Sequence, residues 1–269
     1  LYIVLVRSTA SLNPGHARNV GIQMAQSRII GFLDSNTIPS PLWLKNSFNK
    51  IHNIDYDVIL GSTLYQSNRK IGRIIVASTY GFVPLATLPG TLLNSDCLRL
   101  VGGFLPNVRA AEDIEFISRL EAFNFRIFKP RLPIIHYSLQ SHNPAYYLYK
   151  WFRNYSSCAP YTSLTLQSFG LTGMLFLISI LLAYMWNWNV AGWRTHSPLY
   201  IPNLTKSVVA LFACVYSVLR GYILPMSKRA FSDGKCSICD IPLILAFSLF
   251  LDLVKSAAIF NRLMLWRTR

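Results

Sequence analysis

Acidic residues are scarce in this sequence: its 269 residues include 11 Asp and Glu against 26 Lys and Arg, a formal net charge of +15. Such an excess of basic residues is typical of proteins that bind nucleic acid or that face an anionic membrane surface. Hydrophobic residues make up 52% of the chain and the mean hydropathy is +0.33. That is too apolar for an ordinary soluble domain, so the composition favours the membrane over nucleic acid.

The sequence also lacks a disulfide framework, a signal peptide, internal repeats and low-complexity segments. Its five cysteines are an odd number at uneven spacing, and Cys236 and Cys239 form a lone C-x-x-C without a second pair, which does not indicate a metal or redox site. Reduced thiols on the cytoplasmic side are the simplest interpretation. The chain starts at Leu1, without Met, in an apolar run that predicts a strand at 1–6, so the numbering is expected to begin inside a domain.

The first 145 residues have the mixed composition of a globular α/β domain. A strand at 1–6, a helix at 15–27 and a strand at 29–33 give a β-α-β order, whose long crossover predicts parallel strands and a mainly parallel sheet. The remaining predicted elements are a helix from 41 to 52, a strand at 58–63, an ambiguous segment at 69–82 that could be a helix, a turn that leads into a short strand over 88–94, helices at 95–101 and 111–123, and strands at 126–128 and 132–136.

A carboxylate closes the predicted strand at 29–33. Asp34 follows the apolar run and is itself followed by Ser35 and Asn36, with Pro39 and Pro41 beyond. Open α/β sheets place their ligands at the carboxyl ends of strands, so Asp34 could face a cation or a polar ligand at the sheet edge. The same three residues could equally be only an Asx-turn that leads into the next helix.

A second acidic cluster opens the helix predicted at 111–123. Glu112, Asp113 and Glu115 all lie in its first turn, where acids interact favourably with the helix dipole. The functional alternative is that Asp113 acts as a general base held near a bound electrophile. His136, at the end of the last predicted strand, could be a core histidine, a metal ligand or a phosphate contact.

Five motifs in a fixed order then carry a resemblance to a known family. The segment from Gly15 to Ile22 followed by the one from Gly31 to Asn36 resembles the G-x-A-R-N-x-G-I and F-L-D-x-D pair of family-2 glycosyltransferases with the GT-A fold. The further matches are L-P-G-T at 88–91, V-G-G-F at 101–104, E-D-x-x-F-x-x-R-L at 112–120 and the histidine at 136. The resemblance covers roughly residues 13 to 136 and implies a partial GT-A, Rossmann-like domain.

The resemblance also implies roles for individual residues. Asp34 would contact the nucleotide-sugar donor and bind a divalent cation, magnesium or manganese, with Asn36 and His136 as the other metal positions. Asp113 matches the family's catalytic base, which deprotonates the acceptor hydroxyl. The residues that would bind donor or acceptor are Asp34, Arg18, Gly90, Thr91, Glu112 and Arg119.

This sequence departs from the family pattern in two places. Asn36 stands where the family has the second aspartate, and a neutral amide is a poorer ligand for a hard cation. The family's upstream strand and acidic uridine-binding segment are also missing, which predicts an N-terminally truncated glycosyltransferase. A truncated or degenerate non-catalytic relative that acts as a membrane scaffold is the alternative.

The second half of the sequence predicts membrane contact. Aromatic and basic residues alternate at 146–153, and the segment 146–168 is expected to lie at the interface. Residues 169–269 are expected to form a membrane region with two or three helices, at 169–188, 207–224 and less certainly 241–260. Asp252 and Lys255 fall within the third and could pair with each other.

The combined prediction is a membrane-bound, inverting glycosyltransferase with its catalytic domain on the cytoplasmic side. It would move a sugar from a nucleotide-sugar donor to a lipid-linked or cell-surface glycan acceptor, as in cell-wall or polysaccharide biosynthesis, and would not bind nucleic acid. The family's processive Q-x-x-R-W motif does not occur after Asp113, which favours single-sugar transfer. A small transporter with a soluble cap is less consistent, because the apolar segments carry few polar residues to line a pathway.

Overall fold

The computed structural model describes residues 4–53, 55–139, 143–158 and 170–267. Its strands are β1 (Ile29–Gly31), β2 (Ile38–Pro39), β3 (Val58–Gln66), β4 (Leu85–Asn94), β5 (Ile127–Phe128) and β6 (Ile135–Ser138). The helices of the first part are α1 (Pro14–Met24), α2 (Trp43–His52), α3 (Lys70–Ser78), α4 (Ser95–Val101) and α5 (Glu112–Ala122). Those of the second part are α6 (Pro144–Cys158), α7 (Gly170–Asn189), α8 (Leu204–Val218), α9 (Leu224–Ser227) and α10 (Ile241–Arg267).

The predicted α/β class is confirmed, but the sheet is mixed and not mainly parallel. Its order is β1-β4-β3-β6-β2, with β5 pairing beside β3. Within the described residues, β4 runs antiparallel to both β1 and β3, β2 runs antiparallel to β6, and β3 runs parallel to β5 and β6. Helix α3, between β3 and β4, packs against α10.

The prediction of a first strand at 1–6 is not supported where it can be followed. Residues 4–6 have no strand partner and are exposed, and residues 1–3 lie outside the described part of the chain. An apolar run becomes a strand only when a neighbouring strand supplies backbone hydrogen bonds. Within the described residues β4 pairs with β1 on one side, so β1 is an edge strand of this sheet.

The sheet has a core on each face, which follows from the alternation of side chains along its strands. Val58 and Leu60 of β3 pack with Phe116 and Leu120 of α5 on one face. Ile59, between them, packs on the other face in a smaller cluster of Trp43, Ile51, Ile59 and Leu92. This two-residue period is the ordinary pattern of a strand covered on both sides. The first cluster holds α5, and therefore the acidic first turn, against the sheet.

A third core cluster joins the sheet domain to the C-terminal helices. It contains Ile75 of α3, Tyr147 of α6, and Ile244 and Leu251 of α10, all nearly fully buried. Helix α6 packs along α10, so part of the aromatic segment predicted to lie at the interface is buried inside the protein. Residues 159–168 of that predicted segment lie outside the described residues. The core thus continues across the domain boundary predicted at residue 145.

One helix in the described part of the chain is long and apolar enough to cross a membrane. It runs from Leu204 to Ser227, as α8, a π-helical turn (Leu219–Ile223) and α9, with a mean hydropathy of 1.8. Length and composition are the only basis for this statement. Helix α7 covers most of the first predicted span, and Phe169 at its start lies outside the described residues.

Candidate active site

Arg18 is the centre of the charged cluster at one end of the sheet. Its guanidinium donates from Nη2 to Asp34 Oδ1 at 3.1 Å and from Nη1 to Glu112 Oε1 at 2.6 Å. The Arg18 side chain is 17% exposed and that of Glu112 only 6%, whereas Asp34 is 44% exposed. Burial opposes the charge of Arg18, but the two carboxylates prevail and raise its pKa. One arginine therefore ties α1, the end of β1 and the start of α5 together.

Helix α1 is held in place for this contact by its own backbone and by Asn19. The Asn19 side-chain amide donates to the carbonyl of Phe104 at 2.8 Å, and its Oδ1 accepts from the Phe104 amide at 2.8 Å. Gly15 is needed because a Cβ there would lie 2.3 Å from the carbonyl oxygen of Leu105. Asn19 had no predicted role. Its place beside Arg18 in the A-R-N motif was the available signal.

Asp113 lies at the start of α5, next to Glu112. Its Oδ1 accepts a hydrogen bond from the backbone amide of Ile114 at 2.9 Å. Burial raises the pKa of Asp113, and the charge of Asp34 raises it further, against the lowering effect of the Ile114 amide and of Arg18. The pKa of Glu112 is also raised, first by burial and then by the charge of Asp113, although Arg18 opposes both. A raised carboxyl pKa brings the group closer to the range of a general base.

The two acidic positions predicted from sequence thus lie at the same end of the sheet. Asp34 and Asp113 interact electrostatically, and Arg18 acts on both. Tyr65 forms part of the same surroundings, because burial raises its pKa and the charges of Asp113 and Asp34 add to the shift. Sequence reasoning missed Tyr65. Asp34 was singled out because ligands bind at the carboxyl ends of strands. Tyr65 lies near the carboxyl end of β3, so the same reasoning could have identified it.

The predicted metal positions lie around a turn. Residues Asp34 to Thr37 form that turn, in which the Thr37 hydroxyl and amide both donate to the Asp34 carbonyl, at 2.6 and 3.1 Å. Asn36 is exposed within it. Ile38, two residues beyond Asn36, pairs with His136 of the neighbouring strand β6. His136 therefore lies on the strand next to the turn.

The side-chain oxygens of Asp34 and Asn36 at this turn suit a cation that is held partly by the protein and partly by a substrate. Across the described ranges, His, Cys, Asp and Glu form no group of three or more that could hold a metal. Magnesium is commonly held by one or two carboxylates together with substrate phosphates and water. Asp34, with one oxygen on Arg18 and nearly half of its side chain exposed, and the Asn36 amide could supply such partial coordination.

Two other predicted site residues lie in structural positions. Thr91 is fully buried within β4, where its hydroxyl accepts from the Gly61 amide at 2.8 Å and donates to the Thr87 carbonyl at 3.0 Å. Gly90 has a φ of +87° and its carbonyl accepts from the indole of Trp43 at 2.8 Å. The structure therefore places L-P-G-T within β4, at the irregularity where the pairing of β3 with β4 shifts register.

Arg119 links α5 to the loop before it. It forms an ion pair with Glu115 one turn earlier and donates to the carbonyls of Val101 at 2.6 Å and Gly103 at 2.7 Å. These contacts use the guanidinium within the protein and hold the loop that reaches Phe104. None of these contacts of Arg119 involves Arg18 or Asp34.

The chain matches a family model described as glycosyl transferase family 2 over residues 2–85. Over this segment the chain is similar to family-2 glycosyltransferases. The matched segment includes Arg18 and Asp34, and Asp113 lies beyond it. A comparison with curated proteins finds no match.

Solved structures with a detectable likeness to this chain include those of S. aureus TarS. TarS 1–349 in complex with UDP-GlcNAc is 12% identical, with a TM-score of 0.36, over 81% of this chain and 69% of that one. TarS 1–349 alone is 14% identical, with a TM-score of 0.37, over 96% and 72%. The structure titled TarS is 14% identical, with a TM-score of 0.35, over 90% and 41%. At these TM-scores the likeness carries no information about function.

Proposed function

We propose that this glycosyltransferase moves a sugar from a nucleotide-sugar donor to an acceptor hydroxyl with inversion at the anomeric carbon. The observation that supports this most is the pairing of Arg18 with both Asp34 and Glu112, which holds the acidic start of α5 beside the end of β1. A donor bound at Asp34 would then lie next to Asp113. Asp34, Arg18 and Glu112 are the residues assigned to donor binding and positioning.

Asp113 is the proposed general base. As the acceptor oxygen attacks the anomeric carbon, its proton passes to the Asp113 carboxylate, the new C–O bond forms, and the bond to the donor phosphate breaks with its electron pair leaving on the nucleoside diphosphate. Attack from the face opposite the leaving group inverts the configuration. A bound magnesium or manganese ion would neutralise charge on the leaving diphosphate. The raised pKa of Asp113 supports the assignment because a more basic carboxylate accepts a proton more readily.

We further propose that the enzyme works at a membrane, with its catalytic domain on the cytoplasmic side. The Leu204–Ser227 helix supports membrane contact by its length and composition. Large apolar side chains are also exposed along the described part of α10, including Leu243, Phe250 and Leu253. A lipid-linked or cell-surface glycan acceptor would suit this placement, and a positively charged chain suits the anionic cytoplasmic leaflet.

A non-catalytic membrane scaffold is the second candidate, and Asn36 is the observation that favours it. A neutral amide at this position weakens the case for a cation held by the protein. If the protein is instead an active transferase, the cation is held jointly by Asp34 and the donor diphosphate. The two candidates therefore differ in whether a nucleotide diphosphate binds in a cation-dependent way.

Titration of the full-length protein with UDP, with and without manganese, separates the two. The transferase proposal predicts that manganese tightens UDP binding about tenfold and that Asp34→Asn removes this effect, because one carboxylate is the main protein ligand. The matched control is Asp96→Asn, since Asp96 is an exposed carboxylate paired with Arg99 on α4. Equal UDP binding with and without manganese in the wild-type protein would favour the scaffold.

A further inference from the structure

Three tyrosines form a connected row of rings at the carboxyl ends of β3 and β6. Tyr65 of β3 pairs in parallel register with Tyr137 of β6, and their ring centres are 5.2 Å apart. Tyr80, which follows α3, stacks on Tyr65 with ring centres 3.9 Å apart and ring planes only 9° apart. The stack fixes the orientation of the Tyr65 ring, so its hydroxyl is held in place before any ligand binds.

The tyrosine row lies next to the turn that begins at Asp34. That turn leads into β2, where Ile38 pairs with His136 of β6 in antiparallel register. Because the two strands run in opposite directions, the residues just before Ile38 lie on the side of β6 that continues from His136 to Tyr137. The turn and Tyr137 are therefore neighbours at the same end of the sheet.

The charges of the two proposed site acids also act on these tyrosines. Burial raises the pKa of Tyr65, and the charges of Asp113 and Asp34 raise it further. Burial likewise raises the pKa of Tyr137, with smaller contributions from Tyr146 and Asp34. Such contributions weaken with distance. The electrostatics therefore agree with the strand register, and both place the row beside the proposed base and the proposed donor-binding carboxylate.

The hydroxyls of Tyr65 and Tyr137 are not used by the fold. Across the described ranges, neither hydroxyl makes a hydrogen bond, although both side chains are partly buried. Tyrosine hydroxyls at partly buried positions usually have a hydrogen-bond partner. Tyr146, which is 43% exposed at the start of α6, adds a further ring beside Tyr137. The row thus offers aromatic surface together with two polar groups that a ligand can bind.

We infer that Tyr65 and Tyr137 bind the ring of an acceptor sugar beside Asp113. The inference rests on the proposed function, because it names the class of acceptor at the same site. A sugar ring has apolar C–H faces that pack on aromatic rings, and hydroxyls that form hydrogen bonds with phenols. A phosphate acceptor would need cations, whereas the groups that act electrostatically on these two tyrosines are acids and other tyrosines.

The test measures binding of simple glycosides to the detergent-solubilised full-length protein in the presence of UDP and manganese. The probes are the methyl β-glycosides of glucose, galactose and N-acetylglucosamine, with glycerol phosphate as an acyclic phosphate for contrast. Tyr65→Phe and Tyr137→Phe each remove one hydroxyl and keep the ring, so the fold should be preserved. Each should weaken binding of the best glycoside about threefold, and the double variant about tenfold, because one hydrogen bond is lost at each position.

The matched control is Tyr56→Phe. Tyr56 is also a partly buried tyrosine in an aromatic contact, with its ring centre 5.1 Å from that of Phe128, but it precedes β3 and so lies at the opposite end of that strand from Tyr65. Tyr56→Phe should bind the glycoside as the wild type does. The inference is overturned if the double variant binds as tightly as Tyr56→Phe, if no glycoside binds the wild type, or if glycerol phosphate binds more tightly than every glycoside.

Titration of the same samples with UDP separates this inference from the proposed function. The tyrosine substitutions should leave the manganese dependence of UDP binding unchanged, because the donor is assigned to Asp34 and Arg18. A wild-type protein whose UDP binding ignores manganese counts against the proposed function. Manganese-dependent UDP binding together with glycoside binding that the double variant retains counts against the inference alone.

Discussion

At the scale of single residues, the sequence singled out candidate site residues but not how they are connected. The motif resemblance singled out Arg18, Asp34, Glu112 and Asp113 from their order along the chain. It could not reveal that Arg18 forms ion pairs with Asp34 and Glu112 together, because the pair with Glu112 joins residues 94 positions apart. Contacts at such separation depend on how the helices dock on the sheet, which local pattern does not encode.

Replacing Arg18 tests its role as the connector. Arg18→Met leaves Glu112 buried without its cation, and loss of one partner of a buried ion pair typically costs about 3 to 5 kcal/mol of unfolding free energy. The deficit should shrink as pH falls, because the pKa of Glu112 is already raised and its neutral form carries no charge to compensate. Denaturant unfolding at neutral and acidic pH measures both effects.

The control for that experiment is a pair of the same chemistry at the surface. Arg99 and Asp96 are 80% and 54% exposed, and an exposed pair contributes at most about 1 kcal/mol. Arg99→Met should therefore change stability little at any pH. A deficit in Arg18→Met no larger than that of Arg99→Met would show that Arg18 does not hold the cluster together.

At the scale of elements, the sequence predicted those whose ends carry local signals. The helix predicted at 95–101 is found as α4 with the same bounds, because Asn94 accepts from the Asp96 amide at 3.2 Å and Gly102 ends the helix at a φ of +82°. The segment around L-P-G-T was predicted as a turn because it contains Pro and Gly. In the structure it lies within β4, at the register shift between β3 and β4, where Gly61 allows the close approach of Pro89.

Gly90 is the position in β4 that is expected to tolerate substitution least. Its φ of +87° disfavours any side chain, and a Cβ would lie 2.7 Å from Cγ1 of Ile135. Gly90→Ala should therefore lower stability by at least about 1 to 3 kcal/mol, the usual range for a residue held in a sparsely populated conformation. Thermal unfolding followed by circular dichroism measures this.

Gly21 provides the matched comparison. It lies inside α1 with nothing within 4 Å of a built Cβ, so Gly21→Ala should stabilise the protein by about 0.5 to 1 kcal/mol through helix propensity. Opposite signs for the two Gly→Ala changes are the expected result. A neutral Gly90→Ala would mean that the backbone at Gly90 does not need the conformation described here.

At the scale of the whole molecule, composition predicted the division between a mixed first half and an apolar second half, but not their joint core. Aromatic and basic residues at 146–153 suggested a membrane interface, yet Tyr147 is 2% exposed and packs with α3 and α10. An amphipathic helix can bury its apolar face in lipid or in protein, and sequence alone does not distinguish these. In the structure, α6 packs Tyr147 against other parts of the protein.

The proposed membrane contact of the Leu204–Ser227 helix makes its own prediction. Leu211 is 62% exposed in the middle of this helix, and an aspartate at the centre of a membrane span costs about 2.5 to 3.5 kcal/mol. Leu211→Asp should therefore reduce the fraction of protein that remains in membranes after carbonate extraction. Val6→Asp, at a 50% exposed apolar residue outside the helix, should not. Equal retention of both variants would argue against this helix as a span.

Asp113 is proposed to remove the proton from the acceptor hydroxyl. The rate of sugar transfer by Asp113→Asn in the full-length protein tests this role. Loss of a general base should lower that rate at least about a hundredfold. Glu121→Gln changes an acid at the other end of α5 that pairs with Lys129, and it should transfer at the wild-type rate. Transfer by Asp113→Asn at the wild-type rate would show that Asp113 is not the general base.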